Sequence, residues 1–408
     1  MKPKSQVGIQ QVLHRFLPQL LQEHHLSGHQ RSILKLMQLC KTSALGGHKE
    51  KCNSCHHTKI HYNSCGNRHC PNCQGVNKEI WIHSRLKDLL PVTYFHTVFT
   101  IPSELYPLFS YNKRLLYSCQ MNAVRQTLLA LGHDPKHGLN GQIGGICIQH
   151  TWTQQMTYHP HIHCIIPAGA MTKQRTWNNS KGKGNFLFPV RVMSSLYKGK
   201  LMAMIHEQFK AGQLTLPKSM STQDYTELKR LMYTKGFNVY AKKAFGGPDQ
   251  VLEYLGRYTH KICISNHRIL KITKTHVTFR YTDRKKNQVK CKTICGVKFL
   301  KLFAEHILPK RFIKIRHIGF LAPRFKARNL KSIRKHLKVC PPEVIEYKNT
   351  REFITATTGI DPHLCPKCHK GEMVIISMLP KIRGSPYPDP DVKIYTRPIP
   401  AYRKVELR

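Results

Sequence analysis

Acidic residues are scarce in this sequence. Its 408 residues include 21 Asp and Glu but 66 Lys and Arg, which gives a formal net charge of +45. A chain of this charge repels itself unless a polyanion neutralises it. Nucleic acid is the expected partner, because each phosphate that pairs with Lys or Arg releases bound counterions. A ribosome-associated protein would have the same composition, so the charge predicts a class of partner and no activity.

Long apolar runs are absent as well. No segment reaches the roughly 18 apolar residues of a membrane helix, and residues 1–30 lack the features of a secretion signal. No internal repeat of useful length is visible. We therefore expect an intracellular protein that does not bind a membrane. Its 40% hydrophobic content argues against global disorder.

The cysteines follow a metal-binding pattern. Their number is 15, which is odd, and several form Cys-x2-Cys pairs in a segment, residues 40–73, with few aliphatic residues. Cys52-x2-Cys55 and Cys70-x2-Cys73 have the spacing of a structural four-cysteine zinc site. Other potential ligands nearby are Cys40, Cys65, His48 and His69. A third pair, Cys365 and Cys368, has no obvious partner pair, so it is either half of a zinc site or two ordinary thiols.

The apolar and β-branched patterns predict an α+β fold with a mainly antiparallel central sheet flanked by helices. Helices are expected at residues 9–39 with a break near Ser27-Gly28, and at 76–90, 111–131, 248–260 and 297–308. Strands are expected at 94–101, 143–153, 161–168, 236–245, 268–273, 276–282 and 313–321. The strands 143–153 and 161–168 would form an antiparallel pair. The last twenty-five or so residues are Pro-rich and basic, which is typical of an extended arm.

Histidines alternate along residues 159–164, HPHIHC. Alternating residues of a strand lie on one face, so His161 and His163 can bind one metal ion while Ile162 packs into the core. Structural or surface histidines are the simpler interpretation of any single residue in this run. A third interpretation is a histidine triad of His159, His161 and His163, as in nucleotide hydrolases and transferases.

Two tyrosines, Tyr254 and Tyr258, are four residues apart, which places both on one face of the predicted helix 248–260. An isolated pair of this kind usually packs into a core. Here Arg257, Lys261 and Arg268 surround the pair, which favours a helix that faces phosphate. A phenol beside a metal-bound phosphate can attack phosphorus, so the tyrosines and histidines together suggest phosphodiester chemistry.

The order of the motifs adds a family resemblance. The motifs are NSCGNRHCPNC at 63–73, HPHIHC at 159–164, YLGRYTH at 254–260 with ISNHR at 264–268, and IRHIG at 315–319. In this order they resemble the rolling-circle insertion-sequence transposases of the HUH type, the insertion sequence ninety-one family, from about residue 10 to about residue 370. The resemblance implies an N-terminal zinc-binding domain, a sheet that carries metal ligands and a helix that carries catalytic tyrosines.

The resemblance also implies roles for individual residues. His161 and His163 match the ligands of a catalytic Mg²⁺ or Mn²⁺, and Tyr254 and Tyr258 match two nucleophiles. Structural zinc would bind Cys52, Cys55, Cys70 and Cys73. The third ligand of the catalytic ion is left open among His150, Gln154 and Gln155. The residues expected to bind DNA are Arg257, Lys261, Arg268 and Arg316.

The sequence thus predicts a DNA transposase that nicks and transfers single strands through covalent 5′-phosphotyrosine intermediates. Its DNA would be single-stranded or hairpin element ends, and its location the cytoplasm, at the nucleoid. The alternatives are a histidine-triad nucleotide hydrolase or transferase and a non-catalytic zinc DNA-binding protein. We expect a zinc-binding region at 1–90, a catalytic domain at 91–322 and a basic C-terminal region at 323–408.

Overall fold

The computed structural model describes residues 7–136, 139–181, 186–245, 251, 256, 261–283 and 286–381. The helices are α1 (Ile9–Glu23), α2 (Gly28–Gln38), α3 (Gly75–Leu86), α4 (Tyr106–Tyr111), α5 (Lys113–His133), α6 (Val190–Lys210), α7 (Thr222–Thr234), α8 (Gly296–Glu305), α9 (Lys326–Leu337) and α10 (Thr350–Thr358). No helix in the described part of the chain is long and apolar enough to cross a membrane.

The strands of the described residues fall into three antiparallel groups. They are β1 (Gly47–Cys52), β2 (Thr58–Tyr62), β3 (Tyr94–Thr100), β4 (Gln142–Trp152), β5 (Tyr158–Pro167), β6 (Gly169–Met171), β7 (Trp177–Asn179), β8 (Val239–Phe245), β9 (Ile269–Ile272), β10 (His276–Asp283), β11 (Gln288–Cys295), β12 (Ile315–Gly319) and β13 (Met373–Leu379). The α+β fold with antiparallel sheets flanked by helices is therefore confirmed.

The central sheet has the order β7-β6-β4-β5-β3-β8, and β12 pairs with β4. Strands β4 and β5 form the predicted antiparallel pair, with Cys147 opposite Cys164 and His150 opposite His161. One face is apolar and includes Phe99 and Ile162, which share a core with α5 and α6. Because successive side chains of a strand alternate between faces, the histidines of β5 lie on the other face.

A second core joins the N-terminal helices to a later part of the chain. It contains apolar residues of α1 and α2 together with residues 263–307, which include β9, β10 and α8. Helix α8 approaches α1 so closely that a Cβ on Gly296 would lie 2.3 Å from the Phe16 ring. The break between α1 and α2 lies at Ser27, whose hydroxyl accepts from the Gln30 backbone as an N-cap. This core crosses the predicted boundary at residue 90, so the domain division stays a prediction.

The C-terminal region contains more regular structure than its composition predicts. Helices α9 and α10 and strand β13 lie in residues 326–379, and β13 pairs with β1 in the order β13-β1-β2. A strand from the C-terminal region thus completes the small sheet of the N-terminal region. The predicted extended arm after Arg383 lies outside the described residues.

Candidate metal centre and DNA cleft

Three histidines meet on the open face of the central sheet. His161 and His163 lie on β5, and His150 lies on the neighbouring strand β4, directly opposite His161. One ring nitrogen from each of the three lies within 4.8 Å of the others, and all three side chains are buried. His150, one of the three candidates for the missing ligand, is therefore the residue that joins the predicted pair.

The spacing of these rings fits a shared metal ion. The Nε2 atoms of His161 and His163 are 3.1 Å apart. Two nitrogens that each lie about 2.1 Å from one ion, at a right angle, are about 3 Å apart. Imidazole nitrogen suits Mn²⁺ and other transition metals better than Mg²⁺, which prefers oxygen.

Hydrogen bonds hold the rings in a ligand orientation. The Nδ1 of His161 lies 2.6 Å from the backbone oxygen of His159, so this nitrogen is the donor and Nε2 keeps its lone pair. The Nδ1 of His163 lies 2.8 Å from Nε2 of His96 on β3. His96 is therefore a hydrogen-bonding partner of the candidate ligand His163. The sequence pattern did not identify it.

Trp152 orients the third ring. The indole of Trp152, at the end of β4, stacks on His150 with ring centroids 4.7 Å apart. The Lys314 ammonium lies 5.3 Å from the same indole centroid. Burial lowers the pKa of Lys314 to about 7. The predicted triad residue His159 is not part of the three-histidine cluster, and its ring bonds to the Tyr106 hydroxyl instead.

The histidines form part of the wall of a cleft of about 1060 Å³. The basic side chains that line it are Lys242, Lys243, Lys261 and Arg268, and Asp283 is an acidic lining residue. Asp283 is already paired with Lys290 at 2.7 Å. The cleft therefore carries a net positive charge beside the candidate metal site, which suits a phosphodiester backbone.

The predicted DNA-binding arginines occupy different places. Arg268 lines the cleft, but its guanidinium donates to the backbone oxygens of Cys263, Arg280 and Gln154. Arg316 lies opposite Cys147 in the sheet, on the face away from the histidines. Arg268 thus holds the cleft wall together, and Arg316 is not brought to this cleft. Their role in DNA binding stays a prediction.

Tyr254, Tyr258 and Arg257 lie outside the described residues. Three described residues are close to them in the sequence, Val251, Gly256 and Lys261. Val251 is buried against the apolar cluster of Leu90 and Tyr94. Gly256 approaches α3, where a Cβ would lie 2.5 Å from the Ile82 side chain, and Lys261 lines the cleft.

The predicted four-cysteine zinc site is wrong in its pairing. Cys70 and Cys73 group with Cys40 and Cys65, whereas Cys52 and Cys55 group with Cys365 and Cys368, and in each group the sulfurs lie within 4.8 Å of one another. The close spacing of the two pairs in the sequence suggested one site. The chain instead places β2 between them, and each pair meets partners from elsewhere.

The group of Cys40, Cys65, Cys70 and Cys73 fits a tetrahedral ion. The Sγ–Sγ distances from Cys73 to Cys40 and to Cys65 are both 3.5 Å. Four sulfurs about 2.3 Å from a zinc ion lie about 3.8 Å apart, and four thiolates leave no open position for catalysis. Binding of such an ion would stabilise the folded conformation of residues 40–73.

Residues between these cysteines dock the segment onto the rest of the chain. The Arg68 guanidinium donates to the Phe312 oxygen at 2.6 Å and to the Pro309 oxygen at 3.0 Å. The Asn266 amide donates to Asn72 at 2.6 Å. The ISNHR motif that follows the tyrosines therefore contacts the cysteine-rich segment directly.

Comparison with known proteins agrees with this arrangement. Residues 144–329 match the family described as "Putative transposase", and residues 12–101 match the family described as "Transposase zinc-binding domain". The chain is 36% identical over 382 residues to "Putative transposase y4qJ" of Sinorhizobium fredii, covering 90% of this chain and 93% of that protein. It is 27% identical over 359 residues to "Transposase for insertion sequence element IS801" of Pseudomonas savastanoi pv. phaseolicola, covering 86% and 84%.

Solved structures of the conjugative relaxase TrwC with oriT DNA are also similar. The metal-free structure is 12% identical, covers 40% of this chain and 69% of that chain, and has a TM-score of 0.21. The metal-bound structure is 14% identical, covers 40% and 72%, and has a TM-score of 0.20. The identity and coverage of the Sinorhizobium relative, together with both matched families, establish the identity: the chain is a transposase and belongs to the IS91 family.

Proposed function

We propose that this transposase nicks and transfers single DNA strands through covalent 5′-phosphotyrosine intermediates on Tyr254 and Tyr258. The observation that carries the proposal is the three-histidine cluster in the wall of the basic cleft. A structural role alone does not require three buried imidazoles with converging nitrogens. His150, His161 and His163 would bind one Mn²⁺ or Mg²⁺ there.

The proposed reaction conserves the phosphodiester bond energy. The phenol of one tyrosine gives up its proton to solvent as its oxygen attacks the scissile phosphorus. The bond to the 3′ oxygen breaks, and the 3′ end leaves as a hydroxyl with a proton from solvent. When bound, the divalent ion would neutralise charge on the non-bridging phosphate oxygens. In the joining step a 3′ hydroxyl attacks the phosphotyrosine and releases the phenol, so no nucleotide cofactor is needed.

The neighbours of the tyrosine segment support its assignment to the cleft. Lys261 is three residues after Tyr258 and lines the same cleft as His161 and His163. Gly256 lies between the two tyrosines in the sequence and packs against Ile82 of α3. A second tyrosine allows a second cleavage while the first still holds a strand end.

The cleft is better suited to unpaired than to paired DNA. Tyr240 and Tyr281 line it together with the lysines, and Tyr240 is 51% exposed. Unpaired bases stack on such rings while lysines contact the phosphates. We therefore propose single-stranded or hairpin element ends as the substrate, and the nucleoid in the cytoplasm as the place of action.

The test uses end-labelled single strands of the DNA that flanks the coding sequence. These are incubated with the full-length protein and Mn²⁺ and separated on a denaturing gel. We expect a protein-linked DNA band that survives acid, because phosphotyrosine is acid-stable and phosphohistidine is not. The band should disappear in Tyr254→Phe plus Tyr258→Phe and persist in Tyr281→Phe, which removes the hydroxyl of a tyrosine that lines the cleft.

Two other outcomes would contradict the proposal. DNA binding without an adduct would favour the non-catalytic zinc DNA-binding protein. Hydrolysis of free nucleotides, with an acid-labile adduct that does not depend on the tyrosines, would favour the histidine triad.

A further inference from the structure

Four cysteines from opposite ends of the chain converge beside the small sheet. Cys52 and Cys55 lie at and just after the end of β1, and Cys365 and Cys368 lie in the turn before β13. Pairing of β1 with β13 places Cys52 opposite Met373. The two Cys-x2-Cys pairs therefore face each other across more than 300 residues of sequence.

The sulfur spacing matches a tetrahedral metal site. Cys52 and Cys368 are 3.7 Å apart at Sγ, and Cys55 and Cys365 are 3.6 Å apart. The edge of a zinc–sulfur tetrahedron is about 3.8 Å, whereas a disulfide requires about 2.05 Å. All four cysteines are free of disulfides.

The two turns share one backbone feature. The residue after the second cysteine is left-handed in both, with φ 56° at His56 and φ 52° at His369. Backbone N–H groups point at the sulfurs, from Cys55 to Cys52 at 3.5 Å and from Gly371 to Cys368 at 3.4 Å. Donors directed at sulfur favour the thiolate, which is the form that binds metal.

The pairing of β1 with β13 is accompanied by little apolar packing. The buried residues of the small cluster there are Cys52, Cys365 and Met373. The outward residues of β13, Val374, Ile376 and Met378, are exposed. A cluster with so little apolar burial does not hold two distant segments together by packing, so an ion would supply the missing stability.

We propose that Cys52, Cys55, Cys365 and Cys368 bind a second structural zinc ion, which ties residues 361–379 to the N-terminal zinc-binding region. The four thiols release their protons as the ion binds, and no oxidant is involved. Cys365 and Cys368 lie outside both matched segments, residues 12–101 and 144–329. The zinc-binding region is therefore completed by the C-terminal part of the chain.

The first experiment uses the unaltered full-length protein. Elemental analysis should find two zinc ions per chain. Native alkylation with peptide mapping should label exposed Cys291, Cys295 and Cys340 first. Cys52, Cys55, Cys365 and Cys368 should stay protected and become reactive together when a chelator is added.

Three results would overturn the proposal: one zinc ion per chain, labelling of Cys365 and Cys368 as fast as Cys340, or disulfide-linked peptides among the four. None of them depends on a variant that might misfold. None bears on the tyrosine chemistry, so the two proposals fail separately.

A paired variant locates the ion. Cys365→Ser plus Cys368→Ser should lose one of the two zinc ions and gain a protease-sensitive C-terminal segment. The matched control, Cys291→Ser plus Cys295→Ser on β11, should keep both. Equal zinc content in the two double variants would contradict the assignment.

Discussion

The histidine cluster and the cysteine clusters place metal ligands by opposite means. His161 and His163 belong to a strand whose alternate residues, such as Ile162, are fully buried in the main core. The cysteine turns lie in loops; the turn around Cys365 has few apolar neighbours, whereas Cys40 and Cys70 pack into the second core. We therefore expect the sheet to position its candidate ligands before any ion binds, whereas the cysteine segments would depend on the ion for their conformation. On the proposed function, metal at the first site would serve chemistry, and metal at the others would serve folding.

The largest effect should come from removing a cysteine ligand. Cys70→Ser should lose zinc and unfold residues 40–73, because structural zinc contributes on the order of 10 kcal/mol to such segments. Zinc content, thermal unfolding and limited proteolysis measure this, with exposed Cys291→Ser as the control. Unchanged zinc content and unfolding temperature in Cys70→Ser would contradict a structural role for the cysteine site, and with it the contrast to the histidine site.

Replacing a histidine ligand should reduce activity and leave the fold largely intact, the reverse of the result expected for Cys70→Ser. His161→Ala should slow adduct formation by at least about a hundredfold, the usual cost of losing a group that stabilises transition-state charge. The strand is held by its ladder and core, so circular dichroism and the unfolding temperature should change far less than in Cys70→Ser. Loss of the fold in His161→Ala would mean that the histidine ion is structural.

His96 should affect metal binding without being a ligand. His96→Ala removes the ring at 2.8 Å from His163 Nδ1, and such outer partners typically contribute about 10–100-fold to metal affinity. Mn²⁺ titration should show weaker binding, and excess Mn²⁺ should restore adduct formation. Val98→Ala, the next cleft-lining residue of β3, is the matched control. A loss that no Mn²⁺ concentration restores would exclude this positioning role.

The smallest effect is expected from replacing Tyr240, an exposed residue that lines the cleft. Tyr240→Ala should weaken single-stranded DNA binding by about 1 kcal/mol, the lower end for one stacked base, and leave duplex binding unchanged. Fluorescence anisotropy with both DNA forms at one salt concentration measures the difference. An equal loss for both forms would argue against base stacking in this cleft.

Local patterns predict the paired histidines, the break at Ser27 and the strands β3, β4, β5, β8, β9, β10 and β12, because these depend on neighbouring residues. They miss the short strands β1, β2, β6 and β7 and the strands β11 and β13. His150 joins the site only through the register of β4 and β5, so the sequence left it among three candidates. Cys365 meets Cys52 through a strand pairing that no local spacing encodes. Helices α9 and α10 lie in a basic region whose composition hid their small apolar faces, such as Leu330 and Phe353.

The central claim is that tyrosine carries the DNA covalently at a metal site held by the sheet. The most direct measurement is mass spectrometry of peptides from the protein–DNA adduct formed with Mn²⁺. We predict a nucleotide remnant on Tyr254 or Tyr258, absent when His161 is replaced by Ala. A remnant on His159, His161 or His163, or on no residue at all, would contradict the account.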